Sequence, residues 1–567
     1  MRAFCANPHT RFRSASGRRL AVMPLVAALA LALVVAATGV ASAAAPKVLR
    51  VGTYKAKRGQ YATLQAALKV AQPGDWILIG PGDYKQSSQQ AIGGFGDDRA
   101  GADVLVTTAN IHIRGMDRNR VVIDGTKPGS PQCSSKEADQ NFGAPEGEEK
   151  GIKLYAGNNG VVVYKTSGVW LQNFTACNFI GSNSGGDAIW FDGGASTGEQ
   201  HLGSWWGEYV SATSTYWAGQ QPQPSAKYGV YASNTFGPGI YNRAYASNMA
   251  DAGVYIGACP DCNTTINHSR FEFNALGYSG SNSGGHLRIE NTEFDNNQEG
   301  VATTSQNNDD QPAPQEGLCP KGAENPSPPA GAQRKDICWV MIPSRIVENH
   351  DAASPRSSSA PGLLGTGMTA AGGRNDLIAE NTFSGNKAWG MLILPYPGVE
   401  EKPPPQILAK FPEDECRGGT KAEVEGKHEC IFEPWASEVE KNTFTKNGGY
   451  GHVSNGDIGE VAAAEPAQKI DCWHGNTGEG LSGEPTSEPK AIQKTHGTCS
   501  EKDIGGESLA SPLAAQATCD SQLLAECPGA PGVSYPREET KMMPLPKEPS
   551  MPNPCIGVPF NAWCPKP

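Results

Sequence analysis

The sequence predicts an all-β protein: one long parallel β-helix (solenoid) with a short capping helix near its start, long loop insertions and a proline-rich tail. Three observations predict it. The chain has 567 residues with 68 glycines, 43 prolines and 38% hydrophobic residues, long enough for a large core but poor in long helical patterns. Short segments of alternating polarity recur at a fixed period. Glycine and asparagine gather where such segments would turn.

The period is visible by sliding "NTTINHSRFEFNALGYSG" (263–280) onto "HLRIENTEFDNNQEGVAT" (286–303), which lays Ile266 on Ile289, Phe271 on Phe294, Asn274 on Asn297 and Gly277 on Gly300. Gly229-Val-Tyr, Gly253-Val-Tyr, Gly277-Tyr and Gly300-Val follow one another at nearly equal steps. Later copies, "ENTFSGNKAWGMLIL" (380–394) and "KNTFTKNGGYGHVSN" (441–455), keep a phenylalanine followed three positions on by an asparagine. A repeat of roughly 23 residues fits one coil of a parallel β-helix, whose short strands bond to the coils above and below. Inward side chains would then stack in columns, Phe271 over Phe294, and Asn274 over Asn297 would form an asparagine ladder. Glycine is expected at the tight corners. A shorter echo, "YASN" at 231 and 245, recurs after little more than half that step and does not fit the period.

At the start, "YATLQAALKVAQPGDWILIGPGDY" (61–84) reads as a short amphipathic helix with Leu64, Ala67, Leu68 and Ala71 on one face, a Pro-Gly-Asp turn, and the strand Trp76–Ile79. Such a helix would cover the open edge of the first coil. This opening, "IHIRGMDRNRVVIDG" (111–125) and "DAGVYIG" (251–257) together resemble the right-handed parallel β-helix proteins of the pectin-lyase-like superfamily, over roughly residues 50–460 with insertions. The resemblance implies the fold far more than a reaction, since that superfamily includes lyases, hydrolases, epimerases and proteins without known chemistry.

Before the coils, residues 1–43 carry Arg2, Arg11, Arg13, Arg18 and Arg19, an apolar run from Leu20 to Val40 and then Ala41-Ser42-Ala43. That is the pattern of a secretory signal cut after Ala43, with an uncleaved anchor as the alternative. Its removal takes five arginines and no acid from a chain of net charge −11, leaving about −16. An acidic surface argues against nucleic acid or an anionic membrane as partner. The expected partner is an extracellular polysaccharide or cell-wall glycan, met by a secreted monomer.

Fourteen of the 15 cysteines remain after the signal. Close pairs such as Cys259 and Cys262, Cys416 and Cys430, Cys472 and Cys499, Cys519 and Cys527, and Cys555 and Cys564 suggest disulfides pinning loops and tail. The spacing also allows "CPDC" to be a redox or metal motif. The coils are expected over 44–460 with insertions at about 200–225, 309–372 and 399–435, followed by a cysteine-bearing extension (461–527) and a tail (528–567) rich in proline.

Three groups carry candidate chemistry. His286, Arg288 and Glu290 alternate with Leu287 and Ile289, so on a strand all three point outward; they form either a solvated polar face, with Arg270 under Glu293 as a neighbouring ion pair, or the floor of a groove with His286 or Arg288 as base. Asp187 and Asp251 head the pattern Asp-Ala-x4-Gly, and their separation suggests one column about three coils apart, with Asp192 nearby. These acids cap turns or hold calcium, Asp251 doubling as a catalytic carboxylate. The acids Asp309 and Asp310 of "NNDD" would extend such a site or simply line an exit loop. Trp205, Trp206, Tyr209, Tyr216 and Trp217 crowd one stretch, either stacking on sugar rings or packing as a private mini-core.

Two classes of function follow. One is a polysaccharide lyase-like enzyme in which Ca2+ neutralises a uronate and a base removes the α-proton; a hydrolase would need two facing carboxylates instead. The other is a non-catalytic glycan-binding or adhesion protein. The local motifs of pectate lyases and the Gly-His-Gly pattern of polygalacturonase-like hydrolases are absent from the sequence.

Overall fold

In the computed structural model the sequence repeat becomes a coil with one strand in each of three parallel sheets. The coil at 264–281 contributes Thr264–Asn267 to the first sheet, Arg270–Glu272 to the second and Leu276–Ser281 to the third. The next contributes Leu287–Glu290, Glu293–Asp295 and Glu299–Thr304. Their register is that of the sequence shift, with Ile266 opposite Ile289, Phe271 opposite Phe294 and Tyr278 opposite Val301. Among the described residues the three sheets hold 12, 10 and 11 strands. The structure describes residues 45–566 except 86–88, 93–99, 183, 195–200, 220–221, 306–331, 358–361, 399–418, 425–426, 523–526, 528 and 531–532. The expected signal, Asp309, Asp310 and Cys416 lie outside the described residues.

Alternation fixes the core. Ile266, Phe271, Tyr278, Ile289, Phe294 and Val301 point inward and are fully buried. The rings of Phe271 and Phe294 stack 5.7 Å apart. Near the start, Leu64–Leu68 is helical; Thr63 accepts a hydrogen bond from the Ala66 amide at 3.2 Å, and Leu64, Ala67 and Leu68 are buried against the first coils.

The asparagines form a continuous interior ladder. The Nδ2 of Asn274 donates to Oδ1 of Asn297 at 3.0 Å, Asn297 to Asn349 at 3.0 Å, Asn349 to Asn386 at 3.2 Å and Asn386 to Asn447 at 3.1 Å. A second ladder links Asn381, Asn442 and Asn476 at 3.0 and 2.9 Å. The ladder explains the repeated glycines. A Cβ on Gly277 would lie 2.8 Å from Asn297 Nδ2, and one on Gly300 would lie 2.8 Å from Asn349 Nδ2 and 2.4 Å from the Gly367 carbonyl. These glycines therefore make room for the amides rather than turning corners. The corners themselves belong to other residues, Asn263, His268, Phe273 and Asn282 in one coil, at φ between 43° and 57°. The "YASN" echo has the same origin. Tyr228–Ser233 lies in the third sheet and Tyr245–Ser247 in the second, each ended by an asparagine, Asn234 or Asn248, at positive φ.

The coils run further than the sequence suggested. The segment at 200–225 is no insertion: Trp205–Glu208 and Ser211–Thr213 are strands of the first and second sheets. Within 309–372, Trp339–Met341, Arg345–Val347 and Met368–Ala371 complete another coil. Beyond 460, Cys472–His474 adds a last strand to the first sheet and Ser487–Glu488 one to the third. Thr420–Val424 and Lys427–Phe432 form an antiparallel hairpin that also pairs with Tyr396–Gly398. Disulfides join Cys259 to Cys262, Cys472 to Cys499, Cys519 to Cys527 and Cys555 to Cys564, so "CPDC" is a local crosslink; a fifth joins Cys133 to Cys177. Among the described residues no helix is long and apolar enough to cross a membrane.

The tail runs back along the outside of the coils. Met543 exchanges hydrogen bonds with Asn248, Glu548 with Asn119, and Ser550 and Met551 donate to Asn173. Arg118 donates to the Pro549 carbonyl and Arg114 to those of Pro554 and Ile556. Val558, Trp563 and Cys564 finally pack on Trp76, Leu78 and Met116, and Trp563 Nε1 donates to the Lys57 carbonyl at 2.9 Å. Deleting residues 540–567 is expected to accelerate amide hydrogen exchange in strands 76–79 and 112–115 at least tenfold, leaving 376–394 unchanged; equal rates in both regions would show the tail to be passive.

Candidate functional site: the outer face of the first sheet

Four successive strands of the first sheet place an aromatic ring at the same outward position. Trp76 opposes His112, His112 opposes Trp170, and Trp170 opposes Trp206. The rings lie nearly parallel at 3.9, 5.3 and 3.9 Å between centroids, with interplanar angles of 4°, 24° and 6°. Strand spacing of about 4.8 Å sets this stack, because flat side chains one coil apart meet face to face. Burial, with Arg114 nearby, pulls the His112 pKa down to about 4, so its ring is a neutral member of the stack at pH 7.

A polar file runs beside the rings. Arg114 Nε donates to Gln172 Oε1 at 2.9 Å, and Gln172 Nε2 donates to Glu208 Oε2 at 2.6 Å. The tail covers the Trp76 end, whereas Trp170 and Trp206 stay partly exposed. From Trp206 the face continues through Ile240, Thr265 and Arg288, and the polar file through Asn242, Asn267 and Glu290. Trp170 to Arg288 spans four strand spacings, about 19 Å.

The sequence-predicted trio therefore shares this face. His286 sits at a corner with φ of 52°, and its Nδ1 lies 2.8 Å from Asp261 Oδ1. Arg288 Nε donates to Glu290 Oε2 at 2.7 Å. Arg270 opposes Glu293 in register, but its guanidinium pairs with Asp295 at 2.6 Å and Glu272 at 2.7 Å, while Glu293 meets Arg345. The fork of the guanidinium reaches the diagonal carboxylate and engages both its oxygens.

The aromatic group divides. Trp206 is outward, but Trp205 is fully buried, stacked on Phe191 at 4.5 Å and edge-on to Tyr241 at 4.8 Å. The period-two alternation forces neighbouring residues to opposite faces, so Trp205 is a core residue. Tyr209 stands at the next corner with Arg243 5.6 Å over its ring. Tyr216 is buried and Trp217 partly buried beyond Ser211–Thr213, outside the ladder.

The three aspartates belong elsewhere. Asp187 and Asp251 are two coils apart, not three, since Ile189 opposes Val230 and Val230 opposes Val254. Lys227, itself buried, stands on the coil between them: its amide bonds the Gly186 carbonyl, and its carbonyl accepts from Asp251. Asp192 lies at the other end of the same extended segment as Asp187, about 16 Å away by strand rise, and accepts from the Gly194 amide at 2.9 Å. Calcium binds oxygens at about 2.3–2.6 Å, so Asp187 and Asp192 do not share one ion, and a lysine occupies the coil between Asp187 and Asp251. Asp251 precedes the third-sheet strand Ala252–Gly257, whereas His286 follows Ser283–Gly285, which pairs with Cys259–Asp261, so two strands separate the two positions along the coil. The trio and Asp251 are not brought to one point.

Sequence reasoning missed Trp76, His112 and Trp170. The four rings are unevenly spaced along the chain, so no constant period aligns them. The available signal was local: each ring flanks an inward aliphatic residue, as in "WILI", "IHIRG" and "VWLQ".

No family model matches the sequence, and no curated protein does. Among solved structures, the A-module of mannuronan C-5 epimerase AlgE4 from Azotobacter vinelandii is similar with a TM-score of 0.36 and 11% identity, over 68% of this chain and 84% of that one. The AlgE6 A-module of the same organism gives 0.37 and 12% over 78% and 92%, and the tailspike protein of E. coli bacteriophage HK620 gives 0.35 and 11% over 76% and 59%. At such identities the likeness concerns the path of the chain alone. By its own three stacked sheets, this chain is a parallel β-helix protein.

Proposed function

We propose that the protein is an extracellular glycan-binding β-helix protein and that the outer face of the first sheet is its binding surface. The observation that carries this reading is the ring ladder, flat and partly exposed at Trp170 and Trp206, with the half-buried polar side chains of Glu208 and Asn242 beside it. Flat apolar faces edged by polar groups suit pyranose rings, which present C–H faces and hydroxyl rims. Five disulfides among the described residues support an oxidising compartment.

The test is affinity electrophoresis and calorimetry against neutral and uronate-bearing cell-wall polysaccharides. Trp206→Ala and Trp170→Ala are each expected to weaken binding about tenfold, or about 1.4 kcal/mol, in chains that remain folded at the assay temperature. Binding that both variants leave unchanged would sink the reading. Lyase chemistry is scored on the same samples by the ultraviolet absorbance of an unsaturated product, with and without calcium. Separation of Asp251 from His286 and Arg288 leads us to expect none.

A further inference from the structure

The last two strands of the first sheet bring two glutamates and a histidine together on its outer side. We propose that Glu438, Glu440 and His474 form a binding site for a divalent transition-metal ion of the zinc type. Val439 faces the core, so the glutamates flanking it both face outward, and Glu440 is directly opposite His474 in the neighbouring coil. Donor atoms from all three residues lie within 4.8 Å of one another. His474 Nε2 lies 2.9 Å from Glu438 Oε1, so Glu438 orients the ring, and the ion is placed at the other nitrogen, Nδ1, which is 4.0 Å from Glu440 Oε2.

The two carboxylates are held differently. Glu438 accepts from the amides of Gln333 at 2.8 Å and Arg334 at 2.9 Å. Glu440 is equally buried, yet its Oε1 has no hydrogen-bond partner; Oε2 has an ion pair with Lys441 at 2.9 Å. A buried carboxylate oxygen without a donor is costly, and a cation held by this carboxylate and the imidazole would lower that cost.

The donor set selects the ion. One imidazole nitrogen with carboxylate oxygens suits zinc, at about 2.0–2.1 Å to nitrogen and 2.0–2.2 Å to oxygen. Tetrahedral binding brings ligand atoms to about 3.3 Å, so the 4.0 Å gap between Nδ1 and Oε2 needs only a small contraction. Among the described residues two other clusters have metal-like spacing, around Cys133 and Cys177 and around Cys472 and Cys499, but their sulfurs are consumed in disulfides. Lys441, about half exposed, holds Glu440 from outside and must be displaced by the metal.

The experiment is calorimetric titration of chelator-treated full-length protein with zinc chloride, paired with visible absorption of the cobalt(II) form. We expect one saturable site of micromolar or tighter affinity and the intense visible bands of a tetrahedral cobalt centre. His474→Ala and Glu440→Gln should each weaken zinc at least tenfold. Lys441→Ala removes only an exposed competitor and should tighten it severalfold with the fold intact. Absence of saturable binding, affinity indifferent to His474→Ala, or weaker binding in Lys441→Ala would each overturn the site.

Discussion

Replacing Asn297 with alanine should lower the unfolding free energy by about 4 kcal/mol, among the largest effects a single substitution here can have. Its Nδ2 donates to the Phe271 carbonyl at 2.9 Å and to Asn349 Oδ1 at 3.0 Å, and its Oδ1 accepts from the backbone and side-chain amides of Asn274, both at 3.0 Å. Alanine strands the Phe271 carbonyl and the Asn274 backbone amide in the dry interior, at about 1–3 kcal/mol for each unsatisfied group, and leaves a cavity besides. Denaturant midpoints measure the loss. Asn291→Gly is the control, because Asn291 is exposed at a corner with φ of 49°, its side chain makes a surface hydrogen bond to Asn267, and glycine keeps its backbone bond to the Pro343 carbonyl. Similar midpoints for the two variants would mean the ladder does not hold the coils. Gly300→Ala should also destabilise, by about 1–3 kcal/mol, since its methyl group would press on Asn349 and the Gly367 carbonyl.

The second large effect is on pH dependence. Burial pushes the Asp103 carboxyl up to about 8, the neighbouring Asn158 side chain partly opposes this, and the Asp124 charge adds to it. A carboxyl whose folded pKa is raised contributes stability that is fully present below its unfolded value of 3.8 and is lost as pH rises through about 8. Asp103→Asn should therefore flatten the stability–pH curve between those limits and gain, relative to the parent, on the order of 5 kcal/mol at most by pH 9. Unfolding midpoints at pH 4 and pH 9 decide it; parallel curves would exclude Asp103 as the titrating group. Burial likewise raises Glu299 to about 7 and Glu460 to about 8, and holds Asp376, Asp471 and Asp520 well above the carboxylate range. The molecule as a whole should favour mildly acidic solution.

The coils at 229–300 were legible because their lengths are equal, so one shift aligned the core phenylalanines, the asparagines and the glycines. Reasoning failed where lengths vary. The coil linking Ile189 to Val230 is nearly twice the usual length, which turned two coils into an apparent three between Asp187 and Asp251. Five aromatic residues within 201–221 masked the in–out alternation of Trp205 and Trp206. Cys133 and Cys177 are 44 residues apart and meet only because Cys177 lies opposite Asp124 in the second sheet. The Glu440–His474 contact was readable in principle: aligning Asn442 with Asn476, each two positions on, sets one above the other. Seeing it requires the ladder to be recognised across 34 residues.

Solenoid coils need only their neighbours, so the early ones can close as soon as they are synthesised. The strap changes the timetable. Trp76, Leu78 and Met116 remain bare until Val558 and Trp563 arrive, and Trp563 comes 506 residues after its partner Lys57. A chain lacking 541–563 would therefore display its defect at the opposite end of the rod, as a greasy patch on coils that are themselves correctly wound.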